Sequence, residues 1–169
     1  IRAGLSLRCT GCGTTYVRRF SSLCETCGGM TEAVYDLDKV RLRDSDNPYI
    51  RYQDILPIHD VDLLPRDARF TRVIHAARLG RILGMENLHL KDETELPTGT
   101  TKSRMASVAM AYLYECGVRS FCTSSTGNSS TAYAHAVENF PGMAIYLFTA
   151  ENFHRRVSYR DLPQVVHYV

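Results

Sequence analysis

No stretch of the 169 residues approaches the roughly 18–20 consecutive apolar residues of a membrane helix. Residues Ile1 to Arg8 lack the apolar core of a secretory signal peptide. The chain also lacks a strong charge of either sign: Lys and Arg total 20, Asp and Glu 18, for a net charge of +2. That balance excludes the basic footprint of a dedicated nucleic-acid binder and the charge-driven disorder of a strongly acidic or basic chain. The six histidines (His59, His75, His89, His135, His154, His167) show no H-x-x-x-H or H-E-x-x-H spacing, so no helical zinc motif is present. Ten Tyr and six Phe are spread along the chain, without the stacking cluster of an RNA reader. Internal repeats and low-complexity tracts are absent. The expected setting is cytoplasmic, with no membrane and no nucleic acid as partner. The first residue is Ile rather than Met, so native residues are expected to precede it.

What the chain does have is cysteine in an ordered pattern. In a reducing compartment six cysteines point to metal before disulfides. Four of them, Cys9, Cys12, Cys24 and Cys27, form two C-x2-C knuckles. Gly13 and Gly28 follow the second cysteine of each knuckle and permit the positive φ of a tight turn. Four thiolates suit a tetrahedral zinc ion, and iron is the other metal that such a set holds. Four protein ligands leave no open position, which makes the metal structural. Two disulfides or a redox C-x-x-C are the competing readings. Thr14 to Val17 and Ala33 to Asp36 read as strands of this module, which spans residues 1–46. It carries seven Arg/Lys against six Asp/Glu, so it has no basic patch. Cys116 and Cys122 fall in a helix and a strand and read as buried hydrophobes.

Residues 37–48 are polar and read as a linker, and 47–169 as an α/β body. Arg51 to Leu56 reads as a short helix stopped by Pro57. Val73 to His75 and Leu88 to Lys91 read as strands flanking a helix from Ala76 to Leu83, with Leu79, Ile82 and Leu83 on one side and Gly84 as its stop. A long helix is expected from Lys102 to Cys116, with Met105, Val108, Ala109, Tyr112, Leu113 and Cys116 at helical spacing and Gly117 beyond its end. Strand, helix and strand follow at 118–123, 129–138 and 144–148. Val166 to Val169 reads as one more strand. Strands alternating with helices predict a parallel sheet.

Ligands in such sheets sit beyond the carboxyl ends of the strands, and two polar loops are expected there. In the first, Glu95 to Arg104, Lys102 opens a helix. The partial positive charge of that end disfavours an ammonium and favours the nucleophilic neutral amine. A solvated lysine beside a Thr101 cap is the alternative. In the second, Thr123 to Ser130, hydroxyls, Gly127 and Asn128 precede a helix whose N–H groups suit a carboxylate or phosphate. A polar turn capped by Asn128 or Ser129 is the alternative. His154, Arg155 and Arg156 read as a solvated helix start, or as a contact for a substrate phosphate.

Together these pieces resemble one family. Pro97-Thr98-Gly99-Thr100-Thr101-Lys102-Ser103-Arg104 is similar to the P-T-G-[ST]-F-K-[DS]-R motif of fold-type II (tryptophan synthase beta-like) pyridoxal-phosphate enzymes. Leu90-Lys91-Asp92-Glu93 and Ser125-Thr126-Gly127-Asn128-Ser129 fit the same pattern. The cysteine pairs, Arg51-Tyr52 and Leu56-Pro57 resemble the threonine synthase branch. The resemblance implies an N-terminal zinc ribbon followed by part of a parallel-sheet, fold-type II body, and pyridoxal 5′-phosphate as cofactor. It implies that Lys102 holds the cofactor as a Schiff base and then moves the substrate proton. Asn128 would meet the cofactor's phenolic oxygen. Ser125, Thr126, Gly127 and Ser129 would hold the α-carboxylate of an amino-acid substrate. The implied chemistry is Cα deprotonation with β or γ elimination and replacement, as when phosphohomoserine becomes threonine. A homodimer is implied as well.

The sequence departs from that pattern in three places. Thr101 replaces the usual Phe. Thr71-Arg72 stands where Thr-Pro is usual, and Pro65 to Phe70 replaces a glycine-rich turn. These changes near the entrance leave a cysteate synthase-like β-replacement enzyme, or a specialised-metabolism relative, as alternative activities. A non-catalytic binding protein built on the ribbon is the third alternative. Family members are about twice as long. Their glycine-rich phosphate cradle and the residue facing the pyridine nitrogen have no counterpart here, since the only adjacent glycines are Gly28-Gly29. The missing half is expected from a longer natural chain or a second chain.

Overall fold

The computed structural model describes residues 5–17 and 23–169. β1 (Ser6–Cys9), β2 (Thr15–Tyr16) and β3 (Thr31–Val34) form an antiparallel sheet of order β2-β1-β3. The two strands expected here are present, but the second begins earlier and stops at Val34. Arg8 and Glu32 face each other across β1 and β3 and form a salt bridge of 2.8 Å. Both are half-exposed, so the pair contributes little on its own.

The polar stretch expected to be a free linker is anchored. Asp54 is buried, and its carboxylate accepts from Arg41 N at 2.9 Å and from Arg43 Nη2 at 3.2 Å. Asn47 does more. Its Oδ1 accepts from Tyr49 N and Ile50 N, capping α1 (Pro48–Arg51), and its Nδ2 donates to the carbonyls of Pro65 and Arg66. The Asn-Pro pair that read as a linker end is therefore a helix start, with proline in the first turn where its missing N–H is harmless.

β4 (Val73–His75) and β5 (His89–Lys91) pair with each other antiparallel. This differs from the single parallel sheet expected. The reason lies in the connection. α2 (Ala77–Leu83) is only two turns long, and Met85 folds straight back on it, Met85 N donating to Gly80 O at 2.8 Å. A Cβ on Gly80 would sit 2.4 Å from Met85 O, so glycine permits the return. The expected apolar side of α2 is exposed: Leu79, Ile82 and Leu83 are all 43% accessible or more.

The parallel sheet is built by β6 (Ser120–Ser124), β7 (Ala144–Phe148) and β8 (Val165–Tyr168), in that order. α3 (Lys102–Glu115) precedes β6, and α4 (Asn128–Ala136) connects β6 to β7. The core lies where the helices meet each other and β7. Ala106, Met110 and Ala111 of α3 face Ala132, Ala134 and Ala136 of α4, over Val137, Phe140, Met143, Ile145 and Leu147. Small side chains let the two helices approach closely. The expected α3 stripe is shifted: Met105 is exposed, and Ala106, Met110 and Ala111 are the buried positions. Cys116 is half-buried and Cys122 exposed, so neither is the buried hydrophobe expected. Gln164 closes the far end, its amide Nε2 lying 3.1 Å from the carbonyls of Val137, Phe140 and Met143. No helix among the described residues is long and apolar enough to cross a membrane.

Asn47→Ala removes a cap and the side-chain donors to the carbonyls of Pro65 and Arg66. It should lower stability by about 1–3 kcal/mol, read as a shift of the urea unfolding midpoint. Asn47→Asp keeps the cap and loses the two donors, so it should fall between.

Candidate functional site

The topology brings two helix starts to one edge. β6 and β7 are parallel and adjacent, and α4 joins the carboxyl end of one to the amino end of the other. α4 therefore begins at the carboxyl edge of the sheet. α3 is 14 residues long, about 21 Å, and only residues 116–119 separate it from β6. It packs on α4 and leads through that short connection into the amino end of β6, which puts its start, with Lys102, toward the same edge. Both polar loops thus stand where open α/β sheets bind ligands.

The turn bearing Lys102 is held at three successive residues. Lys102 N donates to Thr100 Oγ1 at 3.2 Å. Ser103 Oγ lies 2.6 Å from Thr98 Oγ1 and accepts from Thr98 N. Arg104 makes a two-pronged pair with Glu93. Thr101 gives no side-chain cap, so the expected Thr101 cap is replaced by these contacts. The Lys102 side chain is half-buried, and its Nζ has no partner among the described residues.

The second loop is organised by Ser125. Its Oγ accepts from Gly127 N at 3.0 Å and from Ser130 N at 3.3 Å. Ser125 therefore shapes the loop and keeps only its hydroxyl proton to offer outward. Asn128 and Ser129 open α4, where the first N–H groups have no intrahelical acceptor. With Ser130 N used by Ser125, the N–H groups of Asn128 and Ser129 remain for an outside acceptor. Thr126 and Asn128 are exposed, Ser129 is half-buried and Gly127 is buried. Ser130 Oγ, in the same turn, is fully buried and unpartnered. An unsatisfied buried hydroxyl is uncommon in a folded chain. A free amine, an exposed amide and open N–H groups on one edge suit an aldehyde cofactor and a carboxylate ligand.

The third part of this edge was missed in the sequence. The 3-10 segment Glu151–Arg156 follows β7 and lies on the loop. A Cβ on Gly127 would meet Arg156 Cβ at 3.0 Å and Arg156 O at 3.2 Å. Ser158 N donates to Thr131 Oγ1 of α4 at 3.0 Å. His154 and Arg155-Arg156 end this helical segment rather than start one, and the Arg156 guanidinium lies over the Phe153 ring, 4.9 Å from its centre. Nothing in the spacing of Gly127 and Arg156 could have shown their contact. A cavity of about 900 Å³ opens elsewhere, between Tyr49, Leu64, Arg69, Thr98, Arg104 and His135. Leu96, Pro97, Thr98, Ser103 and Arg104 of the lysine loop line it, whereas Lys102 and residues 125–129 do not.

The four cysteines come together as their spacing implied. Their sulfurs all lie within 4.8 Å of one another, with Cys9 to Cys27 at 3.5 Å and Cys12 to Cys24 at 3.6 Å. A tetrahedron of sulfurs about 2.3 Å from a central ion has edges of about 3.8 Å. Gly13 and Gly28 adopt φ of 75° and 71°, as the knuckle turns require. Cys9 and Cys24 are buried, Cys12 and Cys27 exposed. The Tyr16 hydroxyl, 2.9 Å from Cys24 Sγ, pulls that thiol down to about 5. Cys27 is pushed up to about 12: the Gly29 N–H opposes this most strongly, but the neighbouring Cys9 and Cys12 outweigh it. The set can hold one metal ion, whose binding would displace the remaining protons. Tyr16 is a further member of this centre that spacing alone did not reveal.

Gly127→Ala forces a side chain into a φ of +146° and against the Arg156 backbone. The expected loss is about 1–3 kcal/mol of stability, and an unchanged unfolding midpoint would refute the close packing.

The profile described as pyridoxal-phosphate dependent enzyme matches residues 65–161, the region holding both loops. The threonine synthase of Methanocaldococcus jannaschii is 32% identical over 136 residues, covering 75% of this chain and 33% of its own length. The threonine synthase of Methanosarcina acetivorans is 28% identical over 134 residues, covering 76% and 33%. The chain thus spans about a third of the length of these relatives, less than the half expected. The profile covers more than half of the sequence, and the chain belongs to the pyridoxal-phosphate-dependent enzyme family.

Proposed function

We propose that this chain carries the lysine-bearing part of a pyridoxal-phosphate-dependent lyase or synthase of the threonine synthase type, acting on an amino acid with a β or γ leaving group. The observation that carries this is the Lys102 amine, without a partner among the described residues, on a turn anchored at three residues, toward the sheet edge where the 125–129 loop opens α4.

The bound cofactor would supply an electron sink for carbanion chemistry at Cα. Lys102 would attach it covalently and, once released by substrate, take and return the Cα proton. Its freedom from ion pairs leaves it able to do both. Asn128 would donate from its side chain to the cofactor's phenolic oxygen. The N–H groups of Asn128 and Ser129, with the hydroxyls of Thr126 and Ser129, would orient the α-carboxylate. Ser125 contributes by fixing that loop, and Gly127 by letting the 151–156 segment close over it. The alternative β-replacement chemistry, cysteate synthase-like, uses the same residues. The Thr71-Arg72 departure keeps it in play, because Arg72 is committed to Asp92 and Glu95 at the entrance to the lysine loop. The phosphate cradle would come from elsewhere in the longer natural chain or from a second chain, and the enzyme would act as a homodimer.

For the cysteine centre we propose structural zinc, within a ribbon spanning residues 1–46 that precedes the body at 47–169. The sulfur separations and the small size of the β1–β3 sheet support this, since so few residues bury little core without a metal. The expected result is one zinc per chain by elemental analysis, lost in Cys24→Ser. Chelation should abolish amide-exchange protection in β1–β3. Iron in its place, or full zinc in Cys24→Ser, would overturn the assignment.

The test of function uses the full natural chain with added pyridoxal 5′-phosphate. Borohydride should trap a pyridoxyl group on Lys102, located by peptide mapping, and Lys102→Ala should abolish both the adduct and turnover. Phosphohomoserine should then release inorganic phosphate, with phosphoserine and sulfite as the competing pair. A folded protein that forms no adduct would sink the enzyme reading.

A further inference from the structure

The first turn of α3 holds two cations, Lys102 and Arg104, and no acid. Cations are disfavoured at that helix end, so the balancing charge must come from elsewhere in the fold. It comes from Glu93, in the 3-10 turn Glu93–Glu95. Arg104 Nε donates to Glu93 Oε2 at 2.9 Å, and Nη2 donates to Oε1 at 3.3 Å. The pair is about three-quarters buried on both sides, with side chains 24% and 23% accessible. The Thr71 hydroxyl, itself buried, donates to Glu93 Oε1 at 2.6 Å. Lys91 Nζ donates to the Thr71 carbonyl. Arg104 beside it holds the Glu93 carboxyl below the usual range for Glu.

The sequence contains only three lysines, Lys39, Lys91 and Lys102. Lys39 pairs with Asp36 at 2.6 Å, and Lys91 is taken by Thr71. Lys102 alone keeps an amine without a partner among the described residues. Arg104 occupies both oxygens of Glu93.

We propose that Glu93 is the positioning residue of Lys102: with Arg104 and Thr71 it locks the first turn of α3 to the β4–β5 pair, so that the lysine amine is presented from one place. This rests on the reading of Lys102 as the cofactor lysine. Glu93 touches neither cofactor nor substrate in this role, and it acts only through Arg104 and the turn.

The experiment compares wild type, Glu93→Gln, Arg104→Met and the double variant in the full natural chain, each checked for folding by circular dichroism. Two readouts are taken at Lys102. One is the rate of borohydride-trapped attachment of pyridoxal 5′-phosphate, in which the amine adds to the aldehyde carbon, water leaves, and hydride reduces the C=N bond. The other, without cofactor, is acetylation of Lys102 by acetic anhydride relative to Lys39. Each single variant should lower both by about tenfold or more, toward the roughly hundredfold that a 1 Å misplacement can cost. The double variant should lose no more than the worse single one, because the two act as a unit. Glu93→Asp should recover part of the loss. If the single variants unfold, Thr71→Val, which keeps the ion pair, should show the same effect at smaller size. Wild-type labelling of Lys102 in folded Glu93→Gln, or losses that add in the double variant, would overturn the proposal. No adduct in wild type, with acetylation still falling in the variants, would overturn the cofactor reading and leave the positioning role standing.

Discussion

The structure depends on the close seam between α3 and α4. Ala106 and Ala111 on one helix and Ala132, Ala134 and Ala136 on the other are nearly inaccessible, and small residues let the two axes approach. That approach covers β7, which contributes Ile145 and Leu147 as a fully buried pair. It also fixes where the helices begin. Because α4 joins the parallel strands β6 and β7 and α3 packs beside it before entering β6, both helix starts fall toward the carboxyl edge. A larger side chain in the seam would separate the helices, and with them the lysine turn from the loop that opens α4. The geometry of the candidate site is thus a consequence of packing by residues outside it.

Outside the seam, the chain is held by a few polar side chains that each satisfy several backbone groups. Asn47 ties α1 to residues 65–66. Glu115 reaches from the end of α3 to accept from His59 N and Asp60 N. Gln164 gathers three carbonyls at the start of β8. Glu93 does the equivalent at the start of α3. In each case a side chain pairs groups that would otherwise lose hydrogen bonds on burial, which costs more than the bond itself contributes. Together with Tyr49, Ile58 and Leu64, which enter the core, these bonds hold the irregular segment 40–72 against the helices.

The cysteine module follows a different rule. Its sheet is short, and its exposed Val17, Leu23 and Met30 show how little apolar surface it buries. The sulfurs stand where one ion would join both knuckles, and Tyr16 adds a hydroxyl to Cys24 from the strand between them. The body holds its shape through helix packing, whereas the module concentrates its order around four side chains.

The cysteine spacing, the helix limits at Gly84 and Gly117, and the order of β6, α4 and β7 were legible in the sequence, because each depends on neighbours within a turn or two. The lysine and the 125–129 loop could be picked out for the same reason. What only tertiary structure decided is how the pieces meet. Glu93 and Arg104 are eleven residues apart with an irregular loop between them, and no periodicity links them. Gly127 and Arg156 touch because the segment after β7 folds over the start of α4. The antiparallel pairing of β4 and β5 depends on Met85 turning back against Gly80, whereas alternation of strand and helix alone suggested a parallel neighbour. Local patterns determine which residues can do chemistry. Long-range packing determines which of them share an edge, which cations are already paired, and that Lys102 is the lysine without a partner among the described residues.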